Sequence, residues 1–559
     1  MFFRQAARYG NKPLIHYRHG SDWQVETWAD LRRHVLSVAS ALIAAGVKPH
    51  DSVLLISENR VEWVYCDFAI QTVGAVTVPV YPNSPAEMAQ TIATDSGATY
   101  AIASGAPLAA KLNVAGALRE IATMDGKVVD WVRQPALNLT EITARLNQVT
   151  PEDICTIVYT SGTTGTPKGV ELAHRNLVDT ARAAVQVHPI TDQDSSLSWL
   201  PLAHVFGRIN EMFDGMVYGG ETWVSAGSDH LVEELQHVKP TVMCSAPRVY
   251  EKVYAAVMAR VQRASPAKRA IFRWAVSTGT RFSQIEKPGP VLKAQRGLAD
   301  RLVLAGLRRQ LTGGRMRFFI SGGAALAQNI EEFFWAIGVP ILNGWGLTET
   351  SSGVCSNTLY EHRFLTVGKP LPGIELKIAD DGEILVKGIG NMIGYHNNPE
   401  ATAEVVKDGW FYTGDIGEID DGFLKITDRK KSLFKTSGGK YIAPLHLEHE
   451  LLSDPIIERA VVVGDGRPYV TALIVPNWPS VRSQGLAEAE LTARIQQTVD
   501  KINSRVGHWE TIKYFTLLPK DFTEKDGELS LKLDIKRKVI QEHYRDQIES
   551  MYTGKTKAS

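Results

Sequence analysis

Apolar side chains recur at helical spacing along residues 28–46, WADLRRHVLSVASALIAAG, and the pattern stops at Gly46. The run SVLLI (52–56) predicts a buried strand, VEWVYCDFAIQTVGA a second helix, and AVTVPVYP a strand ended by Pro82. Buried strands alternating with amphipathic helices indicate an α/β fold with largely parallel sheets. The alternation resumes at ATYAIA, at DICTIVYT and, after a long charged helical stretch from about 250 to 312, at MRFFIS.

The pattern changes at Gly382. GEILVKG, GWFYTGDIGEID and GFLKITDRKKSL read as short strands interleaved with turns, a small β-rich subdomain. Beyond Ile442, a helix (PLHLEHELL), two strands (RAVVVG, YVTALIVP) and a polar helix predict a compact α+β unit. The charged string Asp428-Arg429-Lys430-Lys431 marks the boundary. The expected organisation is a large N-terminal α/β domain over 1–428, a junction at 429–431, a small C-terminal α+β domain over 432–552 and a flexible tail at 553–559.

Composition narrows the class. The 559 residues carry 61 Lys+Arg against 61 Asp+Glu, and 44% are hydrophobic. That apolar content excludes disorder as the main state. The neutral balance argues against broad nucleic-acid binding, although it leaves room for a local basic patch. The four cysteines are far apart, with no CxxC pair and no zinc-ligand spacing, as expected of reduced thiols. The start, MFFRQAARYGNKP, turns polar before an apolar run of signal-peptide length develops, and no stretch of about 18 apolar residues exists. A soluble, cytoplasmic protein is expected, with at most peripheral membrane contact through local basic or apolar patches.

Three strings carry candidate chemistry. In the first, a buried strand runs straight into Thr160-Ser161-Gly162-Thr163-Thr164-Gly165-Thr166-Pro167-Lys168-Gly169. Glycines let backbone N–H groups approach oxygens, hydroxyls donate further bonds and Lys168 supplies charge, which suits polyphosphate. It is not a Walker A loop, because Pro167 precedes Lys168 and Gly169 follows it. In the second, Asn343-Gly344-Trp345-Gly346-Leu347-Thr348-Glu349-Thr350, an aromatic between glycines can lie against a planar base and Glu349 can hold Mg²⁺; a plain turn with a core tryptophan fits equally. In the third, Tyr412-Thr413-Gly414-Asp415, a strand-end Asp can take two ribose hydroxyls; an Asp that merely shapes a turn fits as well.

In this order the strings resemble the adenylate-forming (AMP-binding) superfamily of acyl-CoA synthetases, luciferases and peptide-synthetase adenylation domains. The resemblance runs from about Thr27 to Tyr552 and includes WLPLAH (199–204), SGGA (321–324), DRKK (428–431) and KTSGGK (435–440). LPLAHVFGR, KPTVMCSAPRVYEKVY, KTSGGKYIAP and IKRKVI look most like the long-chain fatty acyl-CoA synthetases.

The resemblance implies a two-step reaction. A carboxylate attacks the α-phosphorus of ATP to give acyl-adenylate and pyrophosphate, and the CoA thiol then displaces AMP. It implies that residues Thr160 to Lys168 grip the departing β/γ-phosphates, and that Thr164 and Glu349 hold Mg²⁺. Trp345 and Gly344 would flank adenine, Asp415 with Arg429 would bind the ribose hydroxyls, and Gly323 and Ala324 would border the adenosine and the acyl carbonyl. His204 would sit near the acyl carboxylate and the thiol tunnel; read alone, a single His on an apolar segment is more often a satisfied structural residue. The Gly438-Gly439 loop would face the acyl site and let pantetheine pass, although a plain hairpin bend accounts for the same pair. The small domain would rotate between the two half-reactions, pivoting near Lys431.

One departure is visible. The family's adenylating lysine falls, when IKRK is set against the usual LKRK ending, on Asp534. In an extended segment Lys532 points to the same side as Asp534, which makes Lys532 the first candidate and Lys536 the second. The substrates implied are a medium- to long-chain fatty acid, ATP and CoA. An acyl carrier protein as acceptor, or a weakened nucleotide- or acyl-binding paralogue, stand as alternatives.

Overall fold

Thr27 starts the first long helix, Trp28–Ala44. Its hydroxyl accepts from the Asp30 N–H at 3.1 Å while the Asp30 carboxylate accepts from the Thr27 N–H at 3.2 Å, so two otherwise orphaned donors are satisfied. The expected stop holds: Gly46, two residues on, takes the left-handed φ of 86°. The chain was analysed as a computed structural model, which describes residues 1–112, 118–160, 167–523, 525–529 and 535–553.

Among the described residues the strands build two large sheets of mixed, mainly parallel pairing. In the seven-stranded sheet, Ser52–Ile56 lies between Val76–Val80 and Tyr100–Ala103, all parallel, and Ile154–Thr160 joins on the far side of Val76–Val80. Its edge is antiparallel, formed by Lys168–Ala173 and Gly394–Tyr395. The nine-stranded sheet has Ser195–Ser198, Val242–Ser245, Phe318–Ser321 and Ile341–Trp345 as parallel neighbours at its centre. The helix Val61–Thr72 is buried nearly all round and shares one apolar core with both sheets.

That core encloses a charge pair. Arg208 donates through Nε to Asp67 at 3.0 Å and through Nη1 to the Thr156 hydroxyl at 2.7 Å, with Asp67 inaccessible and Arg208 nearly so. Such a pair holds its partners in register, because leaving either charge alone in the interior costs several kcal/mol.

The charged stretch near 250–312 divides into Pro247–Gln262, Pro266–Ser283 and a helical run from Pro290 to Thr312. Periodicity alone reads it as continuous. Pro247, Pro266 and Pro290 instead each open a helix, where the missing N–H is no loss. The β-rich subdomain is an antiparallel sheet built on Glu383–Gly388, Trp410–Asp420 and Phe423–Arg429. Beyond it, Ile457–Val463, Val470–Pro476 and Ile512–Leu517 form a three-stranded sheet with its own cores against Pro444–Leu452 and Glu488–Asn503 on one side and Arg537–His543 on the other. This C-terminal unit meets the large one where the Asn329 side chain donates to the Ser453 carbonyl at 3.2 Å. Arg248 and Glu251 lie there within electrostatic reach of Glu458 and Arg459.

Candidate active site

A cleft of about 3160 Å³ is lined by both units. Thr160, Lys168, His204, Gly323, Ala324, the segment Asn343–Glu349 (with Gly344, Trp345, Gly346 and Thr348), Asp415 and Arg429 all face it. Ser161, Gly162, Thr163, Thr164, Gly165 and Lys532 lie outside the described residues. Gly438 and Gly439 do not line the cleft: they form the exposed tip of a hairpin between Phe434–Lys435 and Tyr441–Ile442, and Gly439 takes a φ of 78°.

Thr160 and Lys168 are paired residues of two antiparallel strands, and both line the cleft wall. The Lys168 ammonium stands 4.8 Å from the ring centre of Tyr395. The Tyr395 hydroxyl donates to Glu349 Oε1 at 2.9 Å. Burial, then the Glu349 charge, pushes the Tyr395 phenol far above its ordinary range, so it remains a donor. Glu349 sits on the short turn Thr348–Thr350, whose approach demands Gly346: a Cβ there would meet the Ser352 carbonyl oxygen at 1.8 Å. Among the described residues no three His, Cys, Asp or Glu cluster as a cage for a metal. A single carboxylate fits Mg²⁺, which keeps waters and substrate phosphates as its remaining ligands.

Elsewhere on the cleft wall, both oxygens of Asp415 are engaged. The Trp345 indole N–H donates to Oδ2 at 2.9 Å, and Arg429 Nε lies 3.3 Å from Oδ1. Burial raises the Asp415 carboxyl while Arg429 and the indole oppose it. Asp415 and Arg429 are cross-strand partners, and the strand pairing places them side by side. Gly323, which lines the cleft, takes a φ of 85° with open space where a side chain would stand.

His204 caps the helical segment that starts at Val205: its Nδ1 accepts from the Phe206 N–H at 3.1 Å. That bond leaves the proton of the neutral ring on Nε2. The Phe206 ring packs on Gly322, where a Cβ would come within 3.0 Å of it. Phe206, Asn210 and Asp214, four apart, line the cleft from one helical face, and burial holds the Asp214 carboxyl well above the carboxylate range. Arg208, in the same turn, fixes this segment to the core through Asp67.

The junction is held on both sides. Lys430 reaches Glu383 at 2.7 Å and also Asp381, while its N–H donates to the Gly414 carbonyl at 2.7 Å. Asp428 accepts from the Leu445 N–H at 3.2 Å, in the first turn of Pro444–Leu452, and from the Arg429 N–H. Burial pushes its carboxyl up to about 6 against those two bonds. Arg537 donates to Glu448 at 2.7 Å, and Lys536, Arg537 and Lys538 all line the cleft.

Tyr395 and Glu383 escaped the sequence reading. Tyr395 stands in the turn-rich string GYHNNPE, whose only signal is an aromatic beside a glycine. Glu383 is one of many strand-edge carboxylates until folding brings it to the Gly414 N–H, 2.8 Å away, and to Lys430.

Residues 2–396 match the model of the AMP-binding enzyme family, and residues 432–556 that of the AMP-binding enzyme C-terminal domain. The chain belongs to the AMP-binding enzyme family. It is 40% identical to the long-chain-fatty-acid–CoA ligase FadD15 of Mycobacterium bovis over 95% of this chain and 92% of that one. It is 29% identical to fatty acyl-CoA synthetase A of Dictyostelium discoideum over 92% and 84%. Among solved structures, an anthranilate CoA ligase with bound anthranoyl-AMP shares the fold with a TM-score of 0.76 at 22% identity, covering 97% of this chain and 96% of that one. As an AMP-binding enzyme the chain pairs a large α/β unit with a small C-terminal one.

Proposed function

We propose that this AMP-binding enzyme is an ATP-dependent ligase that activates a medium- to long-chain fatty acid as acyl-adenylate and transfers the acyl group to CoA. The observation that carries the reading is near full-length similarity, at 40% identity, to a long-chain-fatty-acid–CoA ligase. A single cleft lined by Lys168, Glu349, Asp415, Arg429 and His204 supports it.

In the first half-reaction a carboxylate oxygen bonds to the α-phosphorus and the bond to the bridging oxygen breaks, releasing pyrophosphate. This asks the protein for alignment and neutralisation of charge. Lys168 and the loop from Thr160, with Ser161, Gly162, Thr163, Thr164 and Gly165, neutralise the leaving pyrophosphate. Asp415 with Arg429 fixes the ribose, Trp345 and Gly344 bound the adenine, and the His204 Nε2–H donates to the acyl carboxylate. Glu349, with Thr164, would hold Mg²⁺, which screens phosphate charge when bound. Lys532 or Lys536 supplies the positive charge at the α-phosphate. In the second half-reaction the CoA sulfur bonds to the acyl carbon and AMP departs with the former carboxylate oxygen. The 432–552 unit turns about 429–431 to bring Gly438-Gly439 to the cleft.

The test is a panel of C2 to C20 acids with ATP and Mg²⁺, read as AMP release with CoA or with a phosphopantetheinylated acyl carrier protein. The reading expects the highest rate with CoA and acids of medium to long chain. Release only with the carrier protein, or no ATP–pyrophosphate exchange with any acid, overturns it.

A further inference from the structure

Glu211 and Asp214 are both buried on the helical run from Val205 to Tyr218, which widens to π-helical geometry over Arg208–Phe213. Their surroundings differ. Glu211 is satisfied within the fold: the Ser198 hydroxyl donates to it at 2.7 Å, and the Trp199 and Leu200 N–H groups approach it at 3.4 Å. Asp214, three residues on, is 3% exposed, and its Oδ1 has no hydrogen-bond partner. Buried polar groups in folded proteins nearly always find a partner, because an unmade bond leaves the cost of desolvation uncompensated. Among the described residues Asp214 is the one acid on the cleft wall with such an oxygen.

The neighbours of Asp214 on the cleft side are already committed. Phe206 packs on Gly322, and the Asn210 amide donates to the Ser352 hydroxyl at 3.1 Å. Burial keeps the Asp214 carboxyl protonated at neutral pH, so one group offers an O–H donor and a carbonyl acceptor. A hydroxyl answers both. A carboxylate or an ammonium would instead have to shed its water and bring a charge into the same buried wall.

Asp214 lies ten residues past His204, at most about 15 Å along the helix. A saturated chain with bonds of about 1.5 Å covers that span in roughly ten to twelve carbons. We propose that Asp214 selects acyl substrates bearing a hydroxyl at about the tenth to twelfth carbon, by donating to and accepting from that hydroxyl where a plain hydrocarbon chain leaves the carboxyl unpartnered. The inference rests on the function proposed above, which seats the acyl carboxylate at His204, and it names the substrate class within that function.

The experiment is isothermal titration of the full chain, without nucleotide, with dodecanoate, 3-hydroxydodecanoate and 12-hydroxydodecanoate, each below its micellar concentration. The 12-hydroxy acid should bind about tenfold or more tightly than the other two, since a site built to pair a hydroxyl rejects the analogue lacking it. Asp214→Asn, which keeps a donor and an acceptor, should retain that order, and Asp214→Leu should reverse it. No binding of the 12-hydroxy acid, equal affinity for dodecanoate, an equal gain from the 3-hydroxyl, or a preference that survives Asp214→Leu overturns the proposal. The wild-type panel decides even where a variant fails to fold. ATP–pyrophosphate exchange with the same acids separates the two readings: a binding preference without exchange overturns the ligase and leaves the hydroxyl site, whereas exchange with no preference in binding does the reverse.

Discussion

Trp345 and Asp415, seventy residues apart in sequence, are joined by an indole N–H···Oδ2 bond of 2.9 Å. The bond ties the end of a parallel strand in the nine-stranded sheet to the antiparallel subdomain, and it holds the carboxylate that also meets Arg429. Trp345→Phe keeps an aromatic against the cleft and removes only this donor. The apparent KM for ATP should rise roughly tenfold or more with a smaller change in kcat, since a hydrogen bond to a charged acceptor contributes about 1.5–3 kcal/mol. Initial rates at varied ATP check it; an unchanged KM would separate the bond from nucleotide binding.

Glu349→Gln removes the carboxylate charge while leaving an oxygen that can still accept from Tyr395. Adenylation, read as ATP–pyrophosphate exchange, should fall by roughly a hundredfold or more, because a metal-polarised phosphoryl contact contributes several kcal/mol. Tyr395→Phe should act more weakly and mainly at limiting Mg²⁺. Exchange near the wild-type rate in Glu349→Gln would dismiss the carboxylate as a metal ligand.

Arg429 and Lys430 are tied to the large unit through Asp415, Asp381 and Glu383, so the rotation proposed for the C-terminal unit is expected at Lys431, the last residue of the 429–431 junction. Proline at 431 fixes φ near −65°. Lys431→Pro should retain ATP–pyrophosphate exchange and lose thioester formation. Equal loss of both activities in a folded variant would argue against a pivot there.

Lys536 lines the cleft beside Arg537, whereas Lys532 and Asp534 lie outside the described residues. Lys532→Ala and Lys536→Ala are each assayed for full synthesis and for thioester formation from preformed acyl-adenylate. The adenylating lysine is the one whose loss abolishes the first and spares the second, and Lys532 is expected. Loss confined to Lys536→Ala would reassign the role.

Asp428 gives a pH signature of stability. Its carboxyl is raised by burial to about 6 in the fold, above the ordinary value of 3.8 that it recovers on unfolding. Between those values the native state holds a proton that the unfolded chain has released, so stability falls as pH rises through this window and levels off above it. Asp428→Asn cannot ionise. Urea unfolding of both proteins from pH 4.5 to 7.5 should show the wild type losing stability relative to the variant up to about pH 6.5 and no further. A constant difference would mean that the carboxyl titrates normally.

The local patterns that sequence determines are those set by neighbours in the chain. Thr27 with Asp30 starts a helix because both halves of the cap lie three residues apart, and SVLLI forms a strand because its run of apolar residues suits a doubly covered sheet. The strings around Thr160, Trp345 and Asp415 carried the family resemblance for a similar reason: backbone approach to phosphate, base and ribose requires glycines and short polar side chains at fixed offsets. Tertiary structure alone decided which groups meet. Tyr395 reaches Glu349 only because Gly394–Tyr395 adds to the edge of the sheet that starts at Lys168, and Asp67 pairs with Arg208, 141 residues away, only once a helix is enclosed between two sheets. That Leu298 and Leu302 stand exposed was not legible for the converse reason. A helix reveals which of its sides faces solvent only after the other has found its core, and hydrophobic spacing is the same whether an exposed leucine is incidental or placed for contact.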